Sequence, residues 1–204
     1  MSLKRNSLLA IELVTFSHTL FVLPLIFSGY LIVTKDFILI EIILLLIAAI
    51  SARTIGMLFN RIIDKKIDFA NPRTSSRLIP SNKVSNLFVY TFLILSIFIY
   101  FISCFLICNF IFFLSPIPII LFFVYPYTKR FTWLCHFFLG LTLSFGPIAG
   151  GLVSTCDIQG FYSVLPIGIF TFLWISGFDI LYALQDHKHD VKNKIFSIPS
   201  RFGT

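Results

Sequence analysis

The chain has 204 residues, of which 57% are hydrophobic and only 12% charged, and its mean hydropathy is +0.94. Soluble domains carry about 25% charged residues, so this composition excludes one and points to an integral membrane protein. The formal charge of +7 reads as a topology signal plus a basic surface, and no nucleic-acid partner is invoked.

The first apolar stretch, about 8–33, is too long and too poor in cleavage signals to be a removed signal peptide. It carries Pro24, Gly29 and His18, the last read as a helix-packing residue. Further stretches follow at about 37–58, 87–108, 111–125, 131–153 and 161–184. Most approach the roughly 20 residues that cross a hydrocarbon core, which predicts about six spans. The fourth is short and contains Pro116 and Pro118, so it is expected to begin as early as Asn109 or to be broken.

Basic residues test this count. Lys4 and Arg5 precede the first span, and Arg53, Arg61, Lys65, Lys66, Arg73, Arg77 and Lys83 lie at or after the end of the second. Lys129 and Arg130 separate the fourth and fifth, while Lys188, Lys192, Lys194 and Arg201 follow the sixth. Lys35 alone falls on the other side. The positive-inside rule then predicts a cytoplasmic N-terminus and cytoplasmic loops after even-numbered spans.

Two acidic clusters sit on that same side, at the ends of apolar stretches. Four residues subtend about 400° of an α-helix, so Asn60, Asp64 and Asp68 step down one face if the helix continues through them. Asp179, Asp186 and Asp190 fall within about 40° of one another, with Tyr182 near the same stripe. Clustered carboxylates at a hydrocarbon edge repel unless cations lie between them, and all-oxygen donors suit Mg²⁺ completed by substrate phosphates. Asn71-Pro72 and Pro80 are expected to end the first acidic helix. Arg61, Arg73, Arg77, Lys83, Lys129 and Arg130 are candidate donors to the outer oxygens of a diphosphate. Tyr125 to Arg130 reads as a compact interfacial turn that delivers charge beside the carboxylates. The glycines of the fifth span, Gly140, Gly146, Gly150 and Gly151, permit close helix approach or a cavity wall. Cys104, Cys108, Cys135 and Cys156 have no metal-binding spacing and read as packing residues.

The run Asn60-Arg-Ile-Ile-Asp64-Lys-Lys-Ile-Asp68, with Asn71-Pro-Arg-Thr and Arg77-Leu-Ile-Pro-Ser, resembles the first Asp-rich motif of the UbiA superfamily of intramembrane aromatic prenyltransferases. Asp179-Ile-Leu-Tyr182-Ala-Leu-Gln-Asp186-His-Lys-His-Asp190, with Ser-Ile-Pro-Ser-Arg-Phe-Gly after it, resembles the second, and Tyr125-Pro-Tyr-Thr-Lys-Arg-Phe-Thr the segment between them. The pattern is nearest to 4-hydroxybenzoate polyprenyltransferases and their relatives in menaquinone synthesis. The first motif departs from the family in having Arg61 where Asp often follows the Asn.

The resemblance implies an all-α polytopic transmembrane bundle over 1–204, a single prenyltransferase domain in a bacterial inner membrane. It implies Mg²⁺-dependent transfer of a polyprenyl chain from polyprenyl diphosphate to a small aromatic acid, 4-hydroxybenzoate or, alternatively, a dihydroxynaphthoate-type acceptor. Carried over by position, Asn60, Asp64 and Asp68 hold one Mg²⁺ and Asp186 and Asp190 another. Arg61, Lys129 and Arg130 bind phosphate, and Asp179, beside Tyr182, orients the acceptor hydroxyl or takes its proton. Arg53, two turns deeper than Asn60, is a candidate partner for the acceptor carboxylate or one half of a buried ion pair. Family members have about nine spans, so the chain is expected to be incomplete at its C-terminus. Either another membrane chain supplies the missing helices, or the chain is an inactive fragment that binds prenyl diphosphate.

Overall fold

The computed structural model describes the backbone of residues 3–14, 16–34 and 36–203, and the side chains of residues 9–14, 22–34 and 36–203. His18, Lys4, Arg5 and Lys35 have side chains outside the described residues. The described chain is helical, with α1 (Leu3–Val14), α2 (Phe16–Val33), α3 (Leu39–Ile63), α4 (Lys65–Ala70), α5 (Asn86–Ile107) and α6 (Asn109–Leu114) in its first half. The second half contains α7 (Pro116–Thr128), α8 (Cys135–Thr155), α9 (Ile158–Ala183), a 3₁₀ turn (Leu184–Asp186), α10 (His187–Lys192) and α11 (Ile198–Phe202).

Among the described residues, five helical segments are long and apolar enough to cross a membrane: Leu39–Ile63, Asn86–Ile107, Asn109–Thr128, Cys135–Thr155 and Ile158–Lys192. The expected first span is divided into α1 and α2, and its described apolar part is the shorter Val22–Val33. The fourth span breaks at Ser115, between α6 and α7. There the ring of Pro116 starts a new helix, and Tyr100 donates a hydrogen bond to the Ser115 carbonyl at 3.2 Å.

Polar side chains set two of the span starts. Ser85 accepts the Phe88 amide before α5, and Asp157 accepts the Gln159 amide before α9. The core is the common interior of these helices, with Tyr30, Ile55, Leu58 and Val164 fully buried. Helix α8 packs against both α2 and α9, and α3 packs against α5 and α7. Two contacts of α8 leave no room for a side chain. A Cβ at Gly150 would lie 2.1 Å from the Ile26 carbonyl, and one at Gly140 would lie 2.4 Å from the Phe172 carbonyl. The second contact fixes α9 beside the first turns of α8, which places Asp179 next to His136.

The expectation of one continuous helix from Asn60 to Asp68 is corrected. Helix α3 ends at Ile63, Asp64 is its C-cap with φ −89° and ψ 7°, and α4 begins at Lys65. Helical bonds persist across the break, from the Asp64 amide to the Asn60 carbonyl at 2.9 Å and from the Asp68 amide to the Asp64 carbonyl at 2.8 Å. Asp179, Asp186 and Asp190 likewise occupy three elements, α9, the 3₁₀ turn and α10.

Candidate functional site

Both acidic motifs reach one polar cavity of about 190 Å³. Its lining includes Asn60, Asp68, Arg73, Arg77, Lys129, Asp179, Tyr182, Asp186 and Asp190. These residues come from the ends of α3 and α9, α4 and the loop after it, the turn after α7, the 3₁₀ turn and α10.

The carboxylates are paired, and the partners cross between motifs. Arg73 donates from Nε to Asp186 Oδ1 at 2.9 Å and from Nη2 to Oδ2, which makes a bidentate fork. Asn71 donates to the same Oδ1 at 2.9 Å and anchors the Arg73 amide at 3.0 Å. Tyr182 accepts from Arg73 Nη1 at 3.1 Å, and the guanidinium lies 5.3 Å from its ring centroid. This bond to Asp186 holds the Arg73 proton above the ordinary arginine range. Within the first motif, Arg77 Nη1 donates to both oxygens of Asp68 at 3.0 Å. Thr74 ties the same turn to the Asp68 carbonyl at 2.9 Å.

Asp64 differs from the others. It is 1% exposed, and burial pushes its carboxyl above the usual carboxylate range while the neighbouring Lys129 opposes that shift. The Lys129 ammonium lies against Oδ2, and Arg130 stands 3.8 Å from Oδ1. Neither oxygen receives a geometrically formed hydrogen bond. A buried carboxylate whose Oδ1 receives no hydrogen bond fits a hard cation. Among the described residues, no three His, Cys, Asp or Glu side chains converge tightly enough to cage an ion alone. That pattern fits Mg²⁺, which keeps few protein ligands and completes its shell with water and phosphate.

Five of the expected site residues lie outside the lining, and Asp64 is one of them, buried against Lys129. Arg130 donates to the Ile63 carbonyl at 2.6 Å, and Arg61 is buried on α3. Lys83 is exposed and outside the cavity lining. Arg53 lines a second, apolar chamber of about 100 Å³ together with Ala52, Cys104, Ile107, Phe122 and Gly146. Tyr125, which lines the polar cavity, is within electrostatic range of the Arg53 guanidinium. Among the described residues Arg53 forms no ion pair, and its Nε is buried without a hydrogen-bond partner.

Three polar residues of the lining carry no site role by sequence, although Asn71 and His189 lie inside the two motifs. Asn71 reads from sequence as a helix stop, yet it holds Asp186. His189 is 3.6 Å from Asp190, and its ring nitrogens are buried without hydrogen bonds. His136 contacts Asp179 at 2.7 Å. Its only sequence signal is a histidine just after a basic turn and at the start of an apolar span.

Comparison with known proteins agrees with this architecture. Residues 21–204 match the UbiA prenyltransferase family. The chain is 31% identical over 159 residues to a 4-hydroxybenzoate octaprenyltransferase of Vibrio campbellii, covering 74% of this chain and 52% of that protein. It is 32% identical over 155 residues to the mitochondrial 4-hydroxybenzoate polyprenyltransferase of Arabidopsis thaliana, covering 76% and 38%. The chain thus spans about half the length of the bacterial relative, or less of the plant one. The apo structure of a UbiA homolog from Aeropyrum pernix K1 superposes with a TM-score of 0.85 at 31% identity, over 92% of this chain and 70% of that one. A UbiA homolog from Archaeoglobus fulgidus bound to DMAPP and Mg²⁺ shares the fold with a TM-score of 0.78 at 18% identity, over 95% and 69%. By family match, by identity to named relatives and by fold, this all-helical membrane chain belongs to the UbiA prenyltransferase family.

Proposed function

We propose that this chain carries the site for transfer of a polyprenyl group from polyprenyl diphosphate to an aromatic acid, most simply 4-hydroxybenzoate, in quinone biosynthesis. The observation that carries the proposal is the shared polar cavity, where two Asp motifs are interleaved with Arg73, Arg77 and Lys129. Relatives named as 4-hydroxybenzoate prenyltransferases, and the solved homologs bound to DMAPP or GPP with Mg²⁺, support the choice of substrates and metal.

Mg²⁺ held by Asn60, Asp64, Asp68, Asp186 and Asp190 would supply positive charge at the leaving diphosphate. Arg73, Arg77 and Lys129 each carry a donor into the same cavity and can turn from carboxylate to phosphate oxygens. They stabilise the electron pair that the breaking allylic C1–O bond leaves on the diphosphate. Asp179 accepts the acceptor's hydroxyl proton while the ring carbon bonds to C1, and the ring C–H proton then returns to the oxygen. Arg53 binds the acceptor carboxylate at the mouth of the apolar chamber, whose walls keep water from the allylic cation. A dihydroxynaphthoate acid would meet the same guanidinium, so the assay must offer both acceptors.

The test is transfer from labelled prenyl diphosphate to 4-hydroxybenzoate and to a dihydroxynaphthoate in membranes, with Asp190→Asn as control. Product that requires Mg²⁺ and disappears in the control is expected. Absence of product from both acceptors in a folded preparation would overturn the reading. Diphosphate binding without turnover would leave the chain as a binding fragment.

A further inference from the structure

At the wall of the polar cavity, Asp179 is gripped from behind. His136, on the first turn of α8, has a side chain 3% exposed, and its Nδ1 lies 2.7 Å from Asp179 Oδ2. Its other ring nitrogen, Nε2, accepts the Ile198 backbone N–H at 3.2 Å. An N–H donor at Nε2 needs a lone pair there, so the neutral ring carries its proton on Nδ1 and donates it to Asp179. Ile198 opens α11, where first-turn amides lack a helical acceptor.

The segment that presents this amide is itself tied down. A capping box between Ser197 and Ser200 shapes the turn. The Phe196 amide donates to the Lys129 carbonyl at 2.8 Å, and the Cys135 thiol donates to the Phe196 carbonyl at 3.4 Å. Three distant parts of the chain therefore meet at one imidazole. Asp179 keeps a side-chain exposure of 24% and lines the cavity, and among the described residues no donor reaches its Oδ1.

We propose that His136 is a positioning residue for prenyl transfer: fixed as its Nδ1–H tautomer by the Ile198 amide, it holds Asp179 by one oxygen and leaves the other for the acceptor hydroxyl. This role rests on the proposed transfer reaction and specifies how its proton acceptor is aimed. An Asp free to rotate would present its oxygen in the productive direction only part of the time, and small misplacements of a reacting group cost about 100-fold in rate.

Two measurements test it. In protein labelled with ¹⁵N at histidine and held in detergent micelles, the ring whose signals vanish in His136→Phe is expected to be protonated at Nδ1 and not at Nε2. The opposite tautomer overturns the proposal whether or not the chain turns over. In the transfer assay, His136→Phe, which fills the volume without a donor, is expected to lower kcat about 10- to 100-fold with the donor KM within about twofold. His136→Asn, whose amide can stand where Nδ1 stood, is expected to restore most of that loss. Wild-type kcat in His136→Phe overturns the role, and so does a joint change in kcat and donor KM that Asn does not rescue, which marks mere packing. Asp179→Asn is the reference: loss there with none in His136→Phe sinks the positioning role and spares the functional reading. A folded wild type that transfers nothing sinks the functional reading and the role with it, while the tautomer still stands or falls on the spectrum.

Discussion

The polar cavity and the apolar chamber behind it solve the problem of buried charge in opposite ways. In and around the polar cavity the charges are paired, two across the chain, Arg73 on Asp186 and Lys129 on Asp64, and one within the first motif, Arg77 on Asp68. In the apolar chamber Arg53 stands among aliphatic and aromatic groups with no ion pair among the described residues. Burying an unpaired charge is costly, so a lone guanidinium there makes sense chiefly if a ligand anion completes it. The paired cations serve differently, because they are already held at the positions where a diphosphate would need donors and have only to exchange one anion for another. One region is preorganised by its own charges, whereas the other is left incomplete.

The largest effect should come from removing the most deeply buried carboxylate of the two motifs. Asp64→Asn keeps the shape of a buried side chain but removes the charge beside Lys129, and transfer is expected to fall by at least about 100-fold, checked by product formation in membranes of matched protein content. Next comes the cross-motif fork. Arg73→Lys retains a charge but cannot make the bidentate contact to Asp186, so donor KM should rise about tenfold with acceptor KM unchanged, measured by varying each substrate in turn.

The contrast between the regions was only partly legible in the sequence. The acidic positions, the basic turn at Lys129 and the broken fourth span announce themselves because spacing, charge and proline act locally. The break at Asp64 does not, because an i to i+4 pattern survives when the helical bonds around it persist, and the tightening to a 3₁₀ turn at Leu184–Asp186 leaves no mark in residue spacing either. The pairings are invisible for a different reason. Arg73 and Asp186 are distant in sequence, and only the tertiary fold brings the loop after α4 onto the 3₁₀ turn after α9. His136 carries no motif signal in its apolar span, and only the fold brings its two partners from α9 and α11.

Arg53→Gln probes the incomplete region. Acceptor KM should rise about fivefold while donor KM holds, because a neutral amide still lines the apolar chamber but loses the charge–carboxylate attraction. Equal changes in both KM values would mean that the two chambers do not divide the substrates between them.

The smallest effect sharpens the boundary of the polar cavity. Lys83 and Arg77 belong to the same basic loop, so a reading in which net positive charge alone recruits the diphosphate predicts similar losses from each. Geometry separates them: Arg77 reaches both oxygens of Asp68 at 3.0 Å, whereas Lys83 is exposed and absent from the lining. Screening at physiological salt leaves an exposed charge little influence beyond about 8 Å. Lys83→Ala should therefore keep donor KM within about twofold of wild type at ordinary ionic strength, while Arg77→Ala raises it about tenfold. Matching losses in a salt titration of the two variants would replace the specific cavity with a diffuse basic surface as the source of donor affinity.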